Sequence, residues 1–269
     1  PVFVDSRYHD AVIFDIEGVV ADTAALHTAA WKATLNDFLA RRAAVGAPPA
    51  VFTDADYHKY LGHRSEAAGV TEFLVAQGIS LPAGRPGDHV EGTVWALVDR
   101  TAQLCADMLA DGVRVFESTV EFVHQLQAAG IATAVFASRC DCARILDAAG
   151  LSDLFAVRVD GPATRETLAG APTRTGTLQR ILHDAADRLA VSPRRCVVID
   201  DTAAGVTAGR DGGFGLVIGV DRDGDADELS RCGADVVVGD LVALTVRDSH
   251  QRVSDLPDAL ESYTDIAPL

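Results

Sequence analysis

The chain has 269 residues, 48% of them hydrophobic, and carries a formal net charge of -16. That length accommodates one large α/β unit with a second unit inserted in it, and the composition is that of a soluble protein with ample material for a core. The acidic balance is spread along the sequence and repels polyanions, which excludes nucleic acid as an expected partner. An anionic substrate would need a local cation or a metal inside its cleft.

Ala11-Val12-Ile13-Phe14 is a short apolar run closing on Asp15. A turn containing Gly18 follows, and then Leu26, Ala29, Ala30 and Trp31 recur at helical spacing. Asp22 and Thr23 are expected to start that helix. From about residue 24 to residue 111 no further strand is predicted. The helical patterns there are broken by Pro48-Pro49 and by the stretch Leu81 to Gly87, which reads as an inserted helical domain. Val120, Phe122, Val123 and Leu126 then predict a helix, Ile131 to Ala137 a strand, and Ile145, Leu146 and Ala149 a helix capped at Gly150. Three more apolar runs predict strands at Cys196 to Ile199, Gly215 to Val220 and Asp235 to Val238. The expected division is a core of 1–23 and 112–247, a helical cap of 24–111, and a linker or added helix at 248–269, beginning near Ser254-Asp255-Leu256-Pro257.

Strands alternating with helices predict an α/β fold with a parallel sheet covered on both faces. Ligands of such sheets sit at the carboxyl ends of strands, near a switch in strand order. Asp15, Ala137-Ser138 and Asp200-Asp201 all fall at strand ends and are predicted to converge there. Asp15 with Glu17 two residues on lets one carboxylate attack phosphorus while its neighbour handles a proton. Taken alone, an Asp after an apolar strand also reads as a turn residue. The adjacent pair Asp200-Asp201 is electrostatically costly without a cation, and with Asp15 it forms a hard-oxygen set suited to Mg²⁺.

Phe14-Asp15 through Thr23, His27 and Trp31, Ala148-Ala149-Gly150-Leu151, and Asp200-Asp201 with Ala204-Gly205 and Ala208-Gly209 together resemble the haloacid dehalogenase-like phosphatases and phosphomutases. The resemblance spans nearly the whole chain and points to the β-phosphoglucomutase-like subgroup, with a helical cap inserted after the first motif. Gly212 to Arg222 is similar to actinobacterial members, and Arg7 to Ile13 to the N-terminal domain of mycobacterial trehalose-phosphate phosphatase-like chains, where further domains follow. The resemblance implies a Rossmann-like, doubly wound parallel core with an inserted helical cap. It makes Asp15 the nucleophile and Glu17, in place of an Asp, the acid/base. Mg²⁺ would be held by Asp15, the backbone carbonyl of Glu17, Asp200 and Asp201.

Three family positions are altered. The third-motif Lys aligns with Ala171, the second-motif Ser or Thr with Ala137, and a cap Lys with Thr101. Losing one preorganised donor typically costs ~100- to 1,000-fold in rate. Ser138, Arg139 and His27 are the expected substrate-binding residues, with Arg174 a further replacement cation; each arginine also reads as a solvated surface residue, and Ser138 as a mere neighbour of the altered position. His27 reads in two other ways, as a group that orders the acid/base or as a helix residue packed beside Trp31. Two function classes lead, ahead of a dehalogenase attacking carbon through Asp15, whose chemistry does not need the acidic pair Asp200-Asp201. One is a Mg²⁺-dependent phosphohydrolase acting on a small phosphorylated metabolite, a sugar phosphate, through an aspartyl-phosphate. The other is a degenerate domain that serves binding or assembly beside a trehalose-phosphate phosphatase-type domain.

Five scattered cysteines look like unpaired thiols of a reducing compartment, so a cytoplasmic location is expected. Cys140 and Cys142 flank Asp141 without the second ligand pair that a zinc site requires. Signal, lipidation and membrane-spanning patterns are absent from the sequence, and no membrane partner is expected. The start at Pro1 suggests a removed methionine or a piece of a longer chain.

Overall fold

The computed structural model describes residues 2–43, 50–61, 66–87, 90–137, 142–160, 174–222 and 224–248. Strands β1 (Val2–Asp5) and β2 (Ala11–Asp15) come first. They are followed by helix α1 (Thr23–Arg42), the short α2 (Asp54–Asp56) running into a π turn at Tyr57–Leu61, α3 (Glu66–Ala76) and α4 (Val94–Ala110). The chain then alternates through α5 (Glu117–Ala128), β3 (Ala132–Ala137), α6 (Cys142–Ala148), β4 (Val157–Asp160), α7 (Arg174–Leu189) and β5 (Cys196–Asp200). It ends through α8 (Ala203–Asp211), β6 (Leu216–Val220), α9 (Ala226–Arg231), β7 (Val236–Val238) and β8 (Leu244–Arg247).

Six strands form one parallel sheet in the order β4-β3-β2-β5-β6-β7. From β2 the sheet grows to one side through β3 and β4, then resumes on the other side with β5, so the order reverses between β2 and β5. Ile13 pairs with Val198 and Phe14 with Ile199. One residue further on, Asp15 and Asp200 end their strands side by side at the switch point, where such sheets bind ligands.

The β2 and β5 strands are buried along their whole length. Val12, Phe14, Val197 and Ile199 face a core with α5 and α6, whereas Ile13 and Val198 face α7 and α8. Two covered faces explain why both strands read as unbroken apolar runs. The Phe14 ring lies 6.4 Å from Phe122, edge-on, and 5.6 Å from Phe155. Phe14→Ala is expected to destabilise the protein by about 3–5 kcal/mol, read as a lowered midpoint in urea with an unchanged slope. The helices α1 to α4 bury a separate cluster that includes Trp31, Leu35, Phe52, Phe73 and Leu97.

Several sequence expectations are corrected. Strands β1, β4 and β8 were not predicted: each is four residues long, β1 holds only three apolar residues before Asp5, and Arg158 and Thr245 interrupt the other two. Strands β1 and β8 pair with each other in parallel, apart from the main sheet. Asp22 precedes α1 but makes no cap bond, and its carboxylate instead binds Arg114 at 2.6 Å. Gly150 does end α6 as predicted, with φ +69 and the Leu151 amide donating to Leu146 O at 2.8 Å. The expected tail at 248–269 lies outside the described residues apart from Asp248. Among the described residues, no helix is long and apolar enough to cross a membrane.

Candidate active site

Asp15, Asp200 and Asp201 each offer a carboxylate oxygen, and the three oxygens lie within 4.8 Å of one another. Asp15 and Asp200 are buried, at 4% and 0% exposure. Asp15 Oδ1 accepts the Glu17 amide at 3.3 Å, which folds the turn back on the strand end. Asp200 Oδ1 accepts both the amide and the hydroxyl of Thr202 at 2.7 Å. That hydroxyl oxygen in turn accepts the Gly205 amide at 3.0 Å and so caps α8. The start of α8 thereby fixes the Asp200 rotamer. Two glycines leave room for the cluster, since a Cβ on Gly18 would overlap the Asp201 carboxylate and one on Gly205 that of Asp200.

Burial pushes the Asp15 carboxyl well above the ordinary carboxylate range, reinforced by the charges of Asp200, Asp201 and Glu17. Four acids crowded at a strand switch call for a cation. The cluster is all oxygen, with no imidazole or thiolate in it, so it fits Mg²⁺ and is ill suited to zinc.

Glu17 sits beside this cluster, and His27 from the first turns of α1 approaches it, with Nε2 3.4 Å from Glu17 Oε1. On its other side, His27 Nδ1 is 3.5 Å from the Cys105 sulfur of α4. The ring therefore meets the acid/base candidate, while Trp31, one turn on, belongs to the α1–α4 core. The sequence offers Cys105 only as one of five scattered thiols, because nothing in its spacing ties it to residue 27. Thr202 was more legible, as a hydroxyl residue just before a helical run is an ordinary N-cap signal.

The altered positions fall as follows. Ala137 ends β3 and is fully buried. Thr101 is buried in α4 with its hydroxyl donating to Leu97 O at 2.9 Å, one turn back on its own helix. Ser138, Arg139 and Ala171 lie outside the described residues, and Arg174 is placed only as the first residue of α7. Lys32 and Lys59 are the chain's only lysines. Lys32 pairs with Asp54 at 2.9 Å, and Lys59 lies over the Tyr60 ring at 4.6 Å. A cation supplied to Asp15 by the chain after residue 59 would therefore have to be an arginine or a histidine.

The sequence profile of haloacid dehalogenase-like hydrolases matches residues 9–213. An uncharacterized glycosyl hydrolase of Mycobacterium tuberculosis is 41% identical over 271 residues, covering 100% of this chain and 20% of that protein. The chain thus spans about a fifth of the length of that relative. A β-phosphoglucomutase of Mycobacterium bovis is 38% identical over 242 residues, 87% of this chain and 90% of that one. A trehalose-phosphate phosphatase of Mycobacterium leprae is 45% identical over 150 residues, 54% of this chain and 32% of that protein. Among solved structures, a hydrolase from Deinococcus radiodurans with bound phosphate and sodium superposes with a TM-score of 0.62 at 23% identity, covering 87% of this chain and 92% of that one. At that identity the likeness speaks for the fold alone.

Proposed function

Because this chain belongs to the haloacid dehalogenase-like hydrolases, we propose that it is a Mg²⁺-dependent phosphohydrolase of a small phosphorylated metabolite, a sugar phosphate. The observation that carries this reading is the convergence of Asp15, Asp200 and Asp201 at the strand switch, with Glu17 two residues from Asp15.

In this reading Asp15, Asp200, Asp201 and the Glu17 carbonyl hold the ion, which when bound neutralises the crowded carboxylates and the substrate phosphate. An ionised Asp15 oxygen attacks phosphorus in line, the bond from phosphorus to the sugar oxygen breaks, and Glu17 gives its proton to that leaving oxygen. Water then attacks the phosphorus of the aspartyl-phosphate while Glu17 takes its proton, and Asp15 is released as a carboxylate with free phosphate. His27 holds the Glu17 carboxyl in place. Ser138 and Arg139, which follow β3, are assigned to the phosphate, and residues 24–111 to a cap over the strand ends. The free thiols of Cys105, Cys196 and Cys232 favour a reducing, cytoplasmic setting.

The test is phosphate release from a panel of hexose and disaccharide phosphates, with Mg²⁺ and with EDTA. Release that requires Mg²⁺ supports the reading. A product carrying its phosphate at a new position, without release, would replace it with mutase chemistry, which the β-phosphoglucomutase relative makes a pointed alternative. The lack of any lysine beyond residue 59 favours a second reading, a non-catalytic domain of a longer chain. No release and no rearrangement across the panel would establish that one.

Glu17→Gln is expected to lower kcat/KM, which covers the steps up to departure of the leaving group and not the later attack by water, by ~100- to 1,000-fold on sugar phosphates. The loss should shrink to about tenfold or less on p-nitrophenyl phosphate, whose leaving group departs without a proton. Equal losses on both substrates would remove Glu17 from the acid role.

A further inference from the structure

Arg222, two residues beyond the end of β6, brings three separate segments together. Its Nε donates to Gly18 O at 3.0 Å, and its Nη1 donates to Gly239 O and to Asp240 Oδ2, each at 3.3 Å. The guanidinium carbon lies 3.8 Å from the centre of the Phe116 ring, a close cation–π stack. The side chain is 18% exposed.

Each contact has a neighbour that matters. Gly18 follows Glu17, has φ +76, and its amide donates to Ala21 O at 2.9 Å. On the side where a Cβ would stand it abuts the Asp201 carboxylate. The residue whose carbonyl Arg222 grips thus follows the acid/base candidate in the chain and packs against one of the clustered carboxylates. Phe116 belongs to the segment by which the chain returns from α4 to the core. Its amide donates to Val20 O at 3.0 Å, Ala21 bridges Val115 antiparallel, and the Asp22 amide donates to Arg114 O at 2.8 Å. The outgoing and returning linkers are therefore zipped together, and Arg222 lies on the face of that zip.

We propose that Arg222 is a positioning residue for the acid/base turn. Braced on Phe116, its hydrogen bond to Gly18 O fixes the Gly18–Val19 peptide, and with it the Glu17 backbone on one side and the space left for the Asp201 carboxylate on the other. The proposal rests on the hydrolase reading for its effect on turnover, but the geometry it asserts can be read without substrate. A planar fork is required, because the same head group must stack and donate in fixed directions. A lysine supplies the charge without either property.

The experiment compares the full native chain with Arg222→Met, Arg222→Lys and Phe116→Leu. It measures Mg²⁺ affinity by calorimetry, hydrogen exchange over residues 16–21, melting temperature, and kcat and KM where turnover exists. Both Arg222 variants are expected to weaken Mg²⁺ binding about tenfold, the scale for partners that orient metal ligands. They should also speed exchange in the turn and lower kcat ~10- to 100-fold while KM stays within about twofold. Phe116→Leu keeps the hydrogen bonds and removes the stacking face, so it should give the same pattern at smaller size. It decides the question if an Arg222 variant fails to fold. Native Mg²⁺ affinity and native exchange in the folded variants, with only the melting temperature lowered, would make Arg222 a structural tie and overturn the proposal. If the native chain itself neither binds Mg²⁺ nor turns over phosphate esters, the hydrolase reading falls. Exchange then decides alone, with faster exchange in the turn supporting the Arg222 role and native exchange overturning it.

Discussion

Asp15→Asn is expected to abolish phosphate release, lowering kcat by ~10,000-fold or more while the variant remains folded, the scale reached when a covalent nucleophile is removed. The amide fills the same space at the end of β2, and its carbonyl oxygen can still accept the Glu17 amide, so the turn needs no repacking. What it cannot do is attack phosphorus as an anion. Stopped-flow or steady-state phosphate release measures the loss. Rapid-quench experiments with labelled substrate should find label on the native protein and none on the variant. Residual turnover within tenfold of native would sink the Asp15 mechanism and point to direct attack by water.

The second large effect concerns stability without metal. Burial and the neighbouring charges of Asp200, Asp201 and Glu17 hold the Asp15 carboxyl far above its ordinary range. A carboxyl whose folded value is raised gives the folded state extra protons. The stabilisation is complete below the unfolded value and is lost as pH rises through the folded one. In EDTA, therefore, the melting temperature of the native chain should fall as pH is raised above the ordinary carboxylate range. Saturating Mg²⁺ reverses the sign, because deprotonated carboxylates bind it best. At an ion concentration of 100 times Kd the gain is about 2.7 kcal/mol, or roughly 5–10 °C for a chain of this size. Asp15→Asn should behave oppositely, melting ~3–6 °C above native in EDTA and gaining little from Mg²⁺. Differential scanning calorimetry at two pH values, with and without the ion, gives all four numbers. A native chain indifferent to Mg²⁺ at both pH values would show that the cluster is not a cation site.

How much of this was legible depends on the kind of signal each residue carries. The strands that flank the switch point are buried on both faces, so β2 and β5 appear in the sequence as apolar runs with a carboxylate at the end. The site's acids therefore announced themselves. The short strands β1, β4 and β8 did not, because four residues, interrupted by Arg158 in β4 and by Thr245 in β8, are too few to carry a period that distinguishes them from a loop. The partners of the acids were hidden for a different reason. Cys105 reaches His27, and Arg222 reaches Gly18, only once the chain has folded, and the two pairs are 78 and 204 residues apart in sequence. Asp22 shows the converse error. A good capping residue by type, it is claimed by Arg114 instead, because the two linkers run side by side there.

The reversal of strand order between β2 and β5 also sets a timetable for synthesis. Asp15 emerges from the ribosome early, but its neighbours Asp200 and Asp201 arrive only when almost the whole core has been made. At ~5–20 residues per second the interval is roughly ten to forty seconds. Throughout it the first carboxylate has only Glu17 beside it and lacks the pair that would complete a site for a divalent ion. Ion capture by a nascent chain would thus mark the moment at which β5 docks, a natural stopwatch for completion of the sheet's centre.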